Sequence, residues 1–383
     1  MILSGGGTAG HIYPALALAD ELRSREIDLV YVGTSTGPEA RLADEAGLSF
    51  AAISTAGFNR AKPLSLLSSG AKALRGVSQA MGLLRREKPS AVVCFGGYVS
   101  VPVGIAASLR KIPLIVHEQN SHMGMTNRFL ARRAQFVALT YPQTAGLPPK
   151  LTAETVFLGN PVRESVQHSD SSKARAQLGI SDSEKLLLIF GGSRGARKIN
   201  QATVAALATF LSERPDWHIV HGTGQLEYDS VMQGVQELGE RHPELRTRYH
   251  ALPYIENMGD VLAASDLVVS RAGATSIAEL TVLGKPSMLV PYPYATDDHQ
   301  RSNAAALVAL GGARLIADDE LLKAGVGYTL GTDCSDSFLY LDTLLELTGD
   351  EELLKTMAVQ SAALGKSDAA VDLAEAVVKL TEN

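Results

Sequence analysis

Met1-Ile2-Leu3-Ser4-Gly5-Gly6-Gly7-Thr8-Ala9-Gly10-His11 opens the chain and sets a short apolar run directly ahead of a glycine cluster. Gly5, Gly7 and Gly10 fit G-x-G-x-x-G between a strand and a helix, a pattern whose glycines let backbone N–H groups at a helix N-terminus approach an anion. A dinucleotide site of this type also needs an Asp or Glu at the end of the second strand to bind ribose hydroxyls. Here that strand ends Tyr31-Val32-Gly33-Thr34, with no acid, which disfavours NAD and leaves another phosphorylated ligand. Roughly half the chain later, Leu186–Phe190 leads into Gly191-Gly192-Ser193-Arg194-Gly195, a second opening of the same kind. Two such openings predict two Rossmann-like domains in tandem.

Short β-branched runs alternate with amphipathic segments along most of the chain, the pattern of parallel sheets covered by helices. Strands are expected at Met1–Ser4, Leu29–Val32, Val92–Phe95, Pro113–His117, Phe136–Leu139, Leu186–Phe190, His218–His221, Leu267–Ser270 and Ser287–Pro291. Helices are expected at Ala15–Ser24, Leu64–Arg86, Ile199–Glu213, Thr275–Leu283 and Asn303–Leu310, with a helical pattern from Asp318 onward. Gly159-Asn160-Pro161-Val162 is the natural linker, giving domains 1–159 and 160–365, with a final helix in 366–383 packing back on the first. Pro89 to Leu109 carries no charge, but Gly96-Gly97 and Pro102 make it a strand, turn and helix rather than a membrane span.

Composition narrows the function. The 383 residues are 45% hydrophobic and 20% charged with two cysteines, which excludes a disordered chain or a disulfide scaffold. Neither Cys94 nor Cys334 has a cysteine or histidine framework around it, and no chemistry is assigned to them. The N-terminus lacks the basic region and long apolar stretch of a secretory signal, so a cytoplasmic location is expected. Charge is uneven: Met1 to Leu158 holds 16 Lys and Arg against 10 Asp and Glu, the remainder 19 against 31. A basic front half on an acidic protein points to an anionic partner such as a phosphate or a membrane surface. No basic cluster is interleaved with stacking aromatics, which speaks against nucleic acid. No loop completes G-x-x-x-x-G-K-[ST], which speaks against an ATPase.

Gly7-Thr8-Ala9-Gly10-His11, Gly96-Gly97-Tyr98, His117-Glu118-Gln119-Asn120, Gly159-Asn160-Pro161-Val162-Arg163, Gly191-Gly192-Ser193-Arg194-Gly195-Ala196-Arg197 and Ser270-Arg271-Ala272-Gly273-Ala274 follow one another along the chain. In this order they resemble the MurG-type transferases of bacterial cell-wall synthesis, and the resemblance spans essentially the whole sequence. It implies a GT-B fold, two Rossmann-like domains facing across a cleft. It implies inverting transfer of N-acetylglucosamine from UDP-GlcNAc to the C4 hydroxyl of the muramoyl sugar of lipid I, giving lipid II. It implies no catalytic metal or other cofactor, and the sequence has no D-x-D carboxylate pair.

The resemblance also distributes roles. Gly192 and Ser193 would hold the donor pyrophosphate with backbone amides, and Arg163 matches a cationic contact to it. Ala274, Thr275 and Ser276 match positions lining the donor, and Glu279, one turn after Thr275, would accept from the ribose hydroxyls. His299 and Gln300 take the places of polar side chains that bind the GlcNAc hydroxyls, and Asn120 matches another sugar contact. For the general base, His11 stands at a helix N-terminus, whose positive end disfavours imidazolium. His117 and Glu118 are alternatives for base or orienting group. The first two glycine loops, with Thr8, Ala9, Gly10 and Gly97, would seat the lipid pyrophosphate. Between Phe58 and Lys88, leucines such as Leu74 alternate with Lys72, Arg75, Arg85 and Arg86, a mixture suited to an anionic surface on the cytoplasmic face of the membrane. The alternatives on the same architecture are a UDP-GlcNAc 2-epimerase, a glycosyltransferase with another lipid acceptor, or a nucleotide-sugar sensor without turnover.

Overall fold

A computed structural model describes residues 1–55, 65–192, 195–322 and 338–382, with side chains described throughout these except in 65–73. The expectations for Ser193, for the Lys72 side chain and for Cys334 lie outside the described residues. The chain divides into two compact units, Met1–Glu164 with Lys366–Asn383, and Ser165–Gly365.

The first unit carries strands β1 (Ile2–Gly5), β2 (Val30–Gly33), β3 (Ser49–Ala52), β4 (Val92–Gly96), β5 (Leu114–Glu118), β6 (Phe136–Leu139) and β7 (Glu154–Phe157). They form one parallel sheet in the order β3-β2-β1-β4-β5-β6-β7. The second unit carries β8 (Lys185–Phe190), β9 (Trp217–Gly222), β10 (Tyr249–Leu252), β11 (Leu267–Ser270), β12 (Ser287–Leu289) and β13 (Ala313–Leu315). Its parallel order is β10-β9-β8-β11-β12-β13. The strand order of each sheet therefore reverses at one place, between β1 and β4 and between β8 and β11. In such sheets ligands bind beyond the carboxyl ends of the strands at that switch point, where two loops diverge.

Central strands of a parallel sheet are covered on both faces and read as continuous apolar runs. Ile2, Leu3, Val92, Val93, Ile115 and Val116 are fully buried, as are Leu186 to Ile189 and Leu267 to Val269. Among the described residues, the nine strands expected from the sequence are the nine inner ones. The four it misses, β3, β7, β10 and β13, are the sheet edges, where short and partly exposed segments such as Glu154–Phe157 lack that signature.

Helices fill the connections. Ala9–Ser24 starts six residues earlier than expected, because Pro14 lies within it rather than ahead of it. The last helix, Ala369–Glu382, buries Leu373, Ala374 and Val377 in the core cluster that includes Leu18 and Leu22 of Ala9–Ser24. The uncharged stretch resolves into β4, a glycine turn and the helix Ser100–Leu109. Among the described residues no helix is long and apolar enough to cross a membrane.

Candidate functional site

At the switch point of the first sheet, the loops after β1 and β4 pack back to back. Gly6 N–H donates to Gly96 O at 3.3 Å. Gly97 has φ of 75°, and a Cβ there would lie 2.1 Å from Gly6 O, so only glycine lets the loops approach this closely. Ser100 braces them, its hydroxyl lying 2.9 Å from Ser4 O and 2.8 Å from Gly96 O.

His11 is the third residue of Ala9–Ser24, and its Nδ1 lies 3.0 Å from Gly6 O. A carbonyl only accepts, so Nδ1 carries the hydrogen and Nε2 keeps its lone pair. Thr8 Oγ1 lies 3.2 Å from the same Nδ1, which turns Thr8 toward the imidazole rather than toward a helix cap. A methyl group on Gly96 would sit 3.3 Å from both His11 Nε2 and Asn127 Oδ1, so these two acceptors flank the same spot.

His117 and Glu118 end β5, buried beneath this spot. His117 Nε2 donates to Gly159 O at 3.0 Å, and Nδ1 accepts from the Gln119 amide at 3.0 Å. Burial pulls its pKa down to about 4, so the ring is neutral near pH 7 with both nitrogens engaged. Glu118 Oε1 accepts from the Asn120 N–H (2.9 Å) and Nδ2 (3.1 Å), and Oε2 from Gly124 N–H (3.0 Å) and Asn127 Nδ2 (2.9 Å). Four donors spend both oxygens on holding Asn120 and Asn127. Asn127, whose buried Oδ1 has no hydrogen-bond partner, is the residue sequence reasoning missed. No motif marks it, since it is one amide in a short helix, Met125–Ala131.

An acid does stand near the end of β2. Glu39, fully buried, reaches back so that its Oε1 accepts from the Thr34 N–H at 2.9 Å and hydroxyl at 2.6 Å. Its Oε1 is spent on that turn, while Oε2 is buried without a hydrogen-bond partner. Arg163 packs within the first unit, its guanidinium 3.9 Å from the centre of the Tyr13 ring.

In the second unit the loop after β8 turns through Gly192 and Gly195, both in the left-handed region. A Cβ on Gly195 would lie 2.1 Å from Thr223 O. Asn200 holds that wall, donating from Nδ2 to Thr223 O at 2.9 Å and accepting from His221 Nε2 at 3.0 Å. His221 Nδ1 then accepts from the Tyr249 hydroxyl at 2.7 Å, and burial lowers its pKa to about 3. The loop after β11 gives the helix Ala274–Val282, capped by Gly273 without a side-chain bond, so Ala274, Thr275 and Ser276 present first-turn N–H groups. Glu279 is buried one turn beyond Thr275. His299 opens the helix His299–Ala309 with Nδ1 2.6 Å from Thr296 O, and Gln300 Oε1 accepts from Tyr292 N–H at 2.8 Å. That bond engages the Gln300 side-chain carbonyl with the backbone just past β12.

Comparison with known proteins fits both units. The glycosyltransferase family 28 N-terminal domain matches residues 1–139 and its C-terminal domain matches 186–336. A UDP-N-acetylglucosamine–N-acetylmuramyl-(pentapeptide) pyrophosphoryl-undecaprenol N-acetylglucosamine transferase of Halothermothrix orenii is 40% identical over 367 residues, 96% of this chain and 95% of that one. The chain belongs to this transferase family. The crystal structure of MurG from Acinetobacter baumannii, 28% identical, superposes with a TM-score of 0.73 over 99% of both chains. The fold is therefore GT-B, the architecture of MurG. Anabaena Alr3699/HepE in complex with UDP and glucose, 17% identical, shares the fold alone, with a TM-score of 0.61 over 98% of this chain and 99% of that one.

Proposed function

We propose that the chain transfers GlcNAc from UDP-GlcNAc to the C4 hydroxyl of the muramoyl sugar of lipid I, producing lipid II and UDP. Identity of 40% over nearly the full length of a transferase of that name supports the substrates. The observation that carries the mechanism is the His11 tautomer, set by Gly6 O, which leaves Nε2 able to take a proton.

As the acceptor O4 attacks the donor C1, the new C1–O4 bond forms while the bond from C1 to the UDP oxygen breaks. The O4 proton passes to His11 Nε2, and the bonding pair leaves with UDP. Attack from the face opposite the leaving group inverts C1. His117 and Glu118 serve this reading as supports, His117 fixing Gly159 and Glu118 holding Asn120 and Asn127. The N–H groups of Gly10, Gly97 and their neighbours suit the lipid pyrophosphate, with Thr8 and Ala9 at its edge. Gly192, Ser193 and the first helix turn of Ala274, Thr275 and Ser276 suit the charge that develops on UDP. Glu279 is assigned to the ribose, His299, Gln300 and Asn120 to the sugar, and Arg163 to the pyrophosphate.

A lipid acceptor calls for contact with a membrane surface. Leu74 and Arg75 are exposed side by side on the helix Ser65–Glu87, and Met125 and Arg128 are exposed on the short helix that carries Asn127. Apolar and basic groups together suit peripheral attachment to an anionic leaflet, with the cytoplasmic side as the expected location. The test is release of UDP from UDP-GlcNAc with EDTA present, with and without a short-chain lipid I analogue. Acceptor-dependent release with a β-1,4-linked disaccharide supports the reading; release without acceptor favours an epimerase.

A further inference from the structure

Loops at the carboxyl ends of the second sheet are tied to one partly buried guanidinium. Arg271, the first residue after β11, places Nη1 2.7 Å from Asp318 Oδ1, in the segment after β13. The same nitrogen donates to the carbonyls of Val290 and Pro291, each at 3.2 Å, just past β12. Because both Nη1 hydrogens are directed there, the approach to Asp318 is a charge contact rather than an aligned hydrogen bond. The other oxygen of Asp318 lies 3.2 Å from Lys198 Nζ, which also donates to the Asp318 carbonyl at 3.3 Å. Lys198 lies in the first turn of Arg197–Glu213, the helix that follows the loop after β8. Tyr292, beneath the Arg271 guanidinium at 5.6 Å, passes the constraint on through its N–H to Gln300.

Asp318 is only 7% exposed and neutralises one of two cations, so the trio keeps one net positive charge. It therefore does not repel a pyrophosphate at the same loop ends, as an unpaired carboxylate would. Removing it leaves a partly buried guanidinium without its counterion, and the loops it joins lose their common anchor.

We propose that Asp318 is a positioning residue for the donor, setting through Arg271 and Lys198 the spacing of the loops that carry Ala274–Ser276 and Gln300 and of the start of the helix Arg197–Glu213. The proposal rests on the donor assignment above. The test is the affinity of the full-length chain for UDP-GlcNAc by calorimetry, with KM values for both substrates, in Asp318→Ala, Asp318→Asn, Arg271→Lys and the double variant Asp318→Asn/Arg271→Lys. Asp318→Ala is expected to weaken donor binding about tenfold while the KM of the lipid I analogue changes less than about twofold. The double variant is expected to lose less than the product of the two single losses, since both act through one contact.

A folded Asp318→Ala chain with wild-type donor affinity overturns the proposal, as does an equal loss for both substrates, which a general loss of structure would give. If Asp318→Ala does not fold, Asp318→Asn, close in size, is held to the same criteria. A wild-type chain that binds no UDP-GlcNAc overturns the donor assignment and this role together. Binding by the wild type with unchanged binding by the variants overturns the positioning role alone.

Discussion

His11 Nδ1 and Gly6 O lie 3.0 Å apart, and that contact fixes which imidazole nitrogen is left to accept a proton. The Gly6 carbonyl is itself pressed by Gly97, where a Cβ would come within 2.1 Å of the oxygen. Gly97→Ala should therefore both strain a left-handed backbone, at about 1–3 kcal/mol, and displace the carbonyl that orients His11. The expected outcome is a lower thermal midpoint and a fall in kcat larger than the rise in donor KM, read by melting and steady-state kinetics.

Glu118 separates a supporting role from a chemical one. Glu118→Gln turns one oxygen into an amide nitrogen that faces two donors, among Asn120, Gly124 and Asn127. A buried group left unsatisfied costs about 1–3 kcal/mol. The variant should lose thermal stability as well as turnover, in calorimetry beside kinetics; loss of turnover at an unchanged midpoint would return Glu118 to the list of bases.

Acid stability follows from the two buried histidines. His117 and His221 are held down to about 4 and about 3, whereas in the unfolded chain they take up protons near pH 6.5. Between those values the unfolded state binds more protons, so their contribution is whole above about pH 6.5 and is lost as pH falls through that window. Each adds a slope of up to about 1.4 kcal/mol per pH unit. Urea midpoints from about pH 7 down to about pH 5 should fall for the wild type, and less steeply in His117→Asn and His221→Asn, each in its own unit.

Membrane contact is read on vesicles. Arg75→Glu removes one basic group and adds an acid beside exposed Leu74, a change of about 2 kcal/mol at an anionic surface. Binding to phosphatidylglycerol vesicles should weaken more than tenfold at low salt and should weaken in the wild type as salt rises. Indifference to both would remove the helix Ser65–Glu87 from the membrane surface.

What was legible in the sequence follows burial. Inner strands such as Leu186–Phe190 show themselves because both faces are covered, while Ser49–Ala52 and Ala313–Leu315 pair on one side only and carry no such signal. The glycine loops are legible because a backbone-to-backbone approach, as at Gly97 and Gly195, admits no other residue. Asn127 is not, since its meaning lies in Glu118 and His117, nine and ten positions away, which only the folded chain brings to it. The Tyr13 stack on Arg163 and the reach of Glu39 to Thr34 are likewise products of packing. Glu279, His299 and Gln300 are candidates through resemblance alone, for in isolation each is an ordinary polar residue of a helix.

The central claim is that His11 Nε2 takes the proton, and the most direct measurement is single-turnover transfer from UDP-GlcNAc to a lipid I analogue by His11→Ala, beside its donor dissociation constant. The account predicts a turnover lowered by about 10²–10⁴-fold with donor affinity within about twofold of wild type. Turnover and donor affinity falling together, or transfer near the wild-type rate, would contradict it.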